Sequence, residues 1–157
     1  MPDQLTATFV DQPVFHLDYD PSGSRLFIGH FTEAYRPAGG HVVDATNLEK
    51  QFEIRNWRLG GKWAHDGTGL WTCVSDKPSI VLFDIERREP VKSLAGAVNA
   101  SAVALPRTPS SLVGIGMDGI FREWDLDSGE IIHVVQYRSQ GSSETMDYVA
   151  ESISDNG

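Results

Sequence analysis

The sequence predicts an all-β fold assembled from a repeated antiparallel unit, and three observations predict it. Fifteen Gly and eight Pro punctuate the 157 residues evenly. Between them run short segments rich in Val, Ile, Phe, Trp and Thr, the residue types that fit a pleated, half-buried surface. The third observation is a strand-end pattern of a bulky residue, Asp, then a small or aliphatic residue. It returns as Val43-Asp44-Ala45, Phe83-Asp84-Ile85 and Trp124-Asp125-Leu126, with Asp-to-Asp spacings of 40 and 41 residues. A chain of this length builds one domain with a real core and leaves little room for a second.

The elements follow in order. Leu5 to Val10 reads as a stray outer strand within residues 1–12. The first unit, residues 14–55, holds Val14 to Tyr19, Arg25 to Gly29, His41 to Ala45 and Gln51 to Arg55. Asp20-Pro21-Ser22-Gly23 makes its first turn, and Phe31 to Gly40 lengthens its second hairpin. The second unit, residues 56–94, holds Arg58 to Ala64, Leu70 to Val74, Ile80 to Ile85 and Pro90 to Leu94, with the turn Asp66-Gly67-Thr68-Gly69. In the third unit, residues 98–136, Ser101 to Leu105, Leu112 to Gly116, Ile120 to Leu126 and Ile131 to Val135 are the strands. Its turns are Met117-Asp118-Gly119 and Asp127-Ser128-Gly129, where Gly and Asp tolerate the tight bend of a hairpin. Residues 138–157 read as a linker, Gly141-Ser142-Ser143, followed by the start of a fourth repeat or a docking helix. Met146, Val149, Ala150 and Ile153 stand at i, i+3, i+4 and i+7, which suits the helix, while the final Ser-Asp-Asn-Gly matches the Asp20 to Gly23 turn.

A period near forty with four short strands per unit is the pattern of a β-propeller blade. Gly116-Met117-Asp118-Gly119-Ile120-Phe121-Arg122-Glu123-Trp124-Asp125-Leu126-Asp127-Ser128-Gly129 resembles the second and third strands of a WD-repeat propeller, with a tight Asp-Gly turn and a terminal Trp-Asp. The resemblance covers about residues 14 to 136 as three blades. It makes Asp44, Asp84 and Asp125 repeat positions, and it matches Asp76, Asp118 and Trp124 to the family's structural hydrogen-bond network. The fold class expected is therefore an all-β partial propeller of three four-stranded antiparallel blades plus strands of an incomplete fourth. The resemblance further implies protein partners, bound by loops and blade edges, with no reaction and no cofactor. Since propellers use about four to eight blades, the ring needs copies of the chain, a longer parent chain or another protein to close it.

Composition narrows the partners. Thirteen Lys and Arg against twenty-two Asp and Glu give a formal net charge of −9, and no local basic run offsets it. Binding to nucleic acid phosphates or to an anionic membrane surface is disfavoured. No apolar run is long enough to span a bilayer, the single Cys73 cannot make an internal disulfide, and the start MPDQLTATFV lacks the features of a leader. A cytoplasmic location is expected.

The chemistry-bearing patterns are sparse. Gly114-Ile115-Gly116-Met117-Asp118-Gly119 has GxGxxG spacing, but a strand follows where a phosphate-binding motif needs a helix. Asp18-Tyr19-Asp20-Pro21-Ser22-Gly23 starts like a calcium loop, yet Gly29 stands where its bidentate Glu belongs. The five His never pair at metal-ligand spacing, so no catalytic or metal-binding residue is assigned. His16 and Asp18 share one innermost strand, which keeps open an alternative reading as a propeller enzyme with a site on its axis. A second alternative, from the net charge, is an acidic inhibitor of a basic partner. The candidate contact residues are Arg55, Trp57 and Arg58, where Trp and Arg cluster between two units, and Tyr35 and Arg36 in the long first hairpin.

Overall fold

The computed structural model describes residues 14–31, 37–55, 57–74, 79–97, 100–104, 109–116 and 118–136. Twelve strands occupy them: β1 (Val14–Tyr19), β2 (Arg25–Phe31), β3 (Pro37–Asp44), β4 (Lys50–Arg55), β5 (Trp57–Trp63), β6 (Gly69–Val74), β7 (Ser79–Asp84), β8 (Glu89–Ala95), β9 (Ala100–Ala104), β10 (Ser111–Gly116), β11 (Ile120–Asp125) and β12 (Ile131–Gln136). They form three four-stranded sheets in the orders β1-β2-β3-β4, β5-β6-β7-β8 and β9-β10-β11-β12, every neighbouring pair antiparallel. Each sheet is a blade, numbered 1 to 3 in chain order. The described residues contain no helix long and apolar enough to cross a membrane.

The turns explain why the Asp recurs. In each blade the third strand ends at Asp44, Asp84 or Asp125, and the residue four places on donates its N–H back to that Asp's carbonyl. The donors are Leu48, Arg88 and Gly129, at 2.8, 2.9 and 2.9 Å, and all three sit at positive φ, at 60°, 59° and 76°. Inside this turn the carboxylate accepts backbone N–H groups that the strand ladder leaves unpaired. Asp44 Oδ1 takes those of Thr46 and Asn47, Asp84 Oδ1 that of Arg87, and Asp125 Oδ1 those of Asp127 and Ser128. The next residue then ties to the blade's first turn: Ala45 to the Ser24 carbonyl, Ile85 to Thr68 and Leu126 to Ser110.

Two boundaries differ from the sequence expectation. In the expected long second hairpin of blade 1, Phe31 instead continues β2 and Pro37 to Gly40 open β3. Glycine makes this possible, since a Cβ on Gly40 would run into the ring of Phe27. The chain also enters blade 2 earlier: β5 opens at Trp57, so only Asn56 separates it from β4. The expected strand Leu5 to Val10, the tail 138–157 and Asp76 lie outside the described residues.

Alternation along the strands sends successive residues to opposite faces, and the blades stack face to face. Phe27, Val42 and Ile54 of blade 1 pack on Trp63, Leu70 and Ile85 of blade 2. Trp71, Cys73, Ile80 and Leu94 of blade 2 pack on Leu112 and Trp124 of blade 3. A third cluster, Leu26, Ile28 and Val43, covers the other face of blade 1. Each of the fully buried large side chains contributes about 1.5–3 kcal/mol through removal from water.

Candidate interaction surface

Polar side chains of the innermost strands work between blades. His16 Nε2 lies 2.6 Å from the Gly61 carbonyl. Asp18 accepts the Lys62 ammonium at 2.7 Å on one oxygen and the Trp63 N–H at 3.0 Å on the other, and its carbonyl accepts the indole N–H at 3.0 Å. The pair considered for an axial site thus engages blade 2. Next to them, Arg25 donates to the buried Asp20 carboxylate at 3.0 Å and to the Gly67 carbonyl at 2.7 Å, with its guanidinium 4.8 Å over the Trp63 ring. Burial pushes the Asp20 carboxyl up, but the N–H of Arg25, the Ser22 hydroxyl and the guanidinium outweigh it and hold it below the ordinary value.

The second interface is built differently. Arg25 stands across from Asp44 in the ladder, and the matching residue across from Asp84 is Gly69, which offers no side chain. A groove of about 250 Å³ opens between blades 2 and 3, lined by Asp66, Thr68, Trp71, Leu82, Lys92 and Leu126 among others. Lys92 donates to the Leu126 carbonyl across it, and Trp124 donates its indole N–H to Ala95 of blade 2 at 2.9 Å.

The repeat also shows which surfaces lack cover. Ten residues after the turn Asp stand Ile54, Leu94 and Val135, which are 5%, 0% and 61% exposed. The first two are covered by the following blade. At the other end of the arc, Trp63 pairs with Leu70 and Tyr19 with Leu26, so the two rings hold matching positions. Trp63 is 2% exposed and Tyr19 60%. Leu17 on β1 and Ile131, Ile132 and Val134 on β12 are exposed as well.

The candidate contact residues fall unevenly on this frame. Arg55 ends β4, exposed, with Nε 3.4 Å from Glu53. Trp57 and Arg58 belong to the opening of β5 rather than to a connecting loop, and their side chains lie outside the described set. Tyr35 and Arg36 are also outside the described residues. Asp118 pairs with Arg122 of its own hairpin at 2.7 Å, and that hydrogen bond, ahead of the Ile120 N–H, holds its carboxyl below the ordinary range. Sequence reasoning passed over Arg25 and Lys62, whose partners stand more than forty residues away. It read His30 and His41 as two of five scattered His, whereas the fold stacks their rings at 4.9 Å inside blade 1. No local spacing signals any of them.

No protein-family model matches the chain, and no curated protein matches it. Solved structures do. The chain is similar to a chain of Kuenenia stuttgartiensis hydrazine synthase at 21% identity and a TM-score of 0.65, covering 85% of this chain and 39% of that one. It is similar to the RRP9 WD40 repeats at 14% identity and a TM-score of 0.69, covering 83% and 40%, and to U3-55K at 13% and 0.67, covering 83% and 41%. The chain thus spans about two fifths of these relatives' length, and it has the fold of a WD40-like β-propeller arc.

Proposed function

We propose that this chain is a non-catalytic protein–protein interaction scaffold, an arc of propeller blades that copies of itself or a partner complete. The observation that carries the reading is the contrast at matching repeat positions: Ile54, Leu94 and Trp63 buried, Val135 and Tyr19 open. Positions that are covered inside the arc stand open at Tyr19 and Val135, and exposed apolar side chains of this kind favour macromolecular contact. The same reading draws support from His16 and Asp18, whose Nε2 and two carboxylate oxygens join blades 1 and 2. Tyr35, Arg36, Arg55, Trp57 and Arg58 remain the proposed contact residues.

The test is capture of protein partners by the immobilised chain, followed by the Tyr19→Glu and Trp57→Ala variants. Tyr19→Glu is expected to abolish capture and Trp57→Ala to weaken it, both with a melting temperature close to that of the parent. Capture indifferent to both substitutions overturns the reading. A large fall in melting temperature for Trp57→Ala places that ring in the core and removes it from the contact set.

A further inference from the structure

Every blade ends in an outer strand, β4, β8 or β12, whose far edge carries no further strand among the described residues. Such an edge presents unpaired N–H and C=O groups to any chain that can align with it. Two of the three edges are blunted. β4 carries Lys50, Glu53 and Arg55, and β8 carries Glu89, Pro90 and Lys92, the charged and imino residues that resist strand addition. β12 is different in kind. Its sequence, Ile-Ile-His-Val-Val-Gln, has no formal charge and no Pro, and all six residues are exposed. Its four β-branched side chains are 40–61% exposed, on both faces of the strand. The one titratable ring, His133, has its Nδ1 held 2.8 Å from Glu123 on its own blade.

We propose that β12 is a homodimerisation edge, where the β12 strand of a second copy adds antiparallel about a two-fold axis and merges two third blades into one eight-stranded sheet. The occupant that fits must be extended, uncharged and apolar on both faces, and β12 is the one outer strand of the described fold with that composition. Charge favours the same place. Each copy carries a formal −9, and β12 lets two copies meet without setting carboxylates against each other. With His133 on the two-fold axis, Ile131 stands opposite Val135 and Ile132 opposite Val134, and an isologous contact of this type closes at two copies instead of propagating. The inference rests on the blade architecture and deepens the self-association arm of the scaffold reading with an edge contact at β12, whereas that reading is itself tested by capture at Tyr19 and Trp57.

The experiment is light scattering of the purified full chain over a dilution series from about 100 to about 1 μM, a range that brackets a micromolar dissociation constant. The expected result is the mass of two chains falling to one. Ile132→Lys and Val134→Lys, which restore the blunting seen on β4 and β8, should shift the midpoint by roughly tenfold or more. Both side chains are exposed, so the melting temperature should hold. Amide hydrogen exchange on the unaltered chain gives a reading independent of the variants, with protection along β12 rising with concentration. The mass of one chain throughout overturns the proposal, as does a dimer indifferent to both lysines or β12 protection that ignores concentration.

Discussion

Arg25 touches three groups at once, the Asp20 carboxylate, the Gly67 carbonyl and the face of Trp63, and so binds its own turn to the next blade. Arg25→Met keeps much of the packing but strands a buried carboxylate, and it should cost about 2–3 kcal/mol, read from urea unfolding. Acid should act on the same group. The Asp20 and Asp118 carboxyls are held low by their hydrogen bonds in the fold, so they bind fewer protons there than in the unfolded chain. Their stabilisation is complete above the ordinary carboxylate range and is lost as pH falls below about 4 through the lowered folded values. His41 works in a higher window. Burial first, then Lys50 and His30, lower its pKa against the opposing pull of Glu53, and neither ring nitrogen has a hydrogen-bond partner among the described residues. The unfolded chain therefore takes a proton near pH 6.5 that the folded one refuses, and stability declines as pH falls from about 6.5. His41→Leu should flatten that part of a melting-temperature profile against pH. At this scale the sequence discloses the turn aspartates, because a hairpin demands them locally. It hides Arg25 and His41, whose surroundings are assembled from distant strands.

The hairpin turns show the same chemistry solved with three residues. Leu48, Arg88 and Gly129 occupy one left-handed position, and only Gly129 does so without a Cβ penalty. An added Cβ at Gly129 would meet nothing closer than Leu94 Cδ2 at 3.7 Å, so the cost of Gly129→Ala is set by the backbone. We expect a loss of about 1–2 kcal/mol from Gly129→Ala. Arg88→Gly should have the opposite sign, a gain of a few tenths of a kcal/mol. Part of its backbone relief is offset by the lost contact between the Arg88 guanidinium and the Phe52 ring, 5.5 Å apart. Denaturant midpoints of the two variants check the signs. Strand positions were legible from alternation and turn residues, and the misplaced start of β3 has a definite cause. Pro37-Ala38-Gly39-Gly40 carries the punctuation of a loop, yet it is a strand because Phe27 requires a bare backbone beside it.

Across the whole molecule, stability depends on ties between neighbouring blades. Trp124 is 1% exposed and its indole N–H reaches back to the Ala95 carbonyl of blade 2. Trp124→Ala should cost about 3–5 kcal/mol, through the cavity and the lost bond together. A change under about 1 kcal/mol in denaturant unfolding would remove Trp124 from the blade interface. The forty-residue period made the blade architecture readable, since each unit repeats the same local solution. The roles of His16 and Asp18 were not readable, because a residue on an innermost strand faces the axis or the next blade according to a register that no local pattern reveals. The order of strands, each paired with its neighbour in sequence and none exchanged between sheets, bears finally on how the protein is made. Loop closure for every hairpin spans only a few residues, so a blade needs nothing synthesised after it to form its ladder. On a ribosome delivering the chain from its N-terminus, blade 1 already has its partner strands when β4 emerges, and residues through Ile85 bring out every side chain of the Phe27–Trp63 cluster.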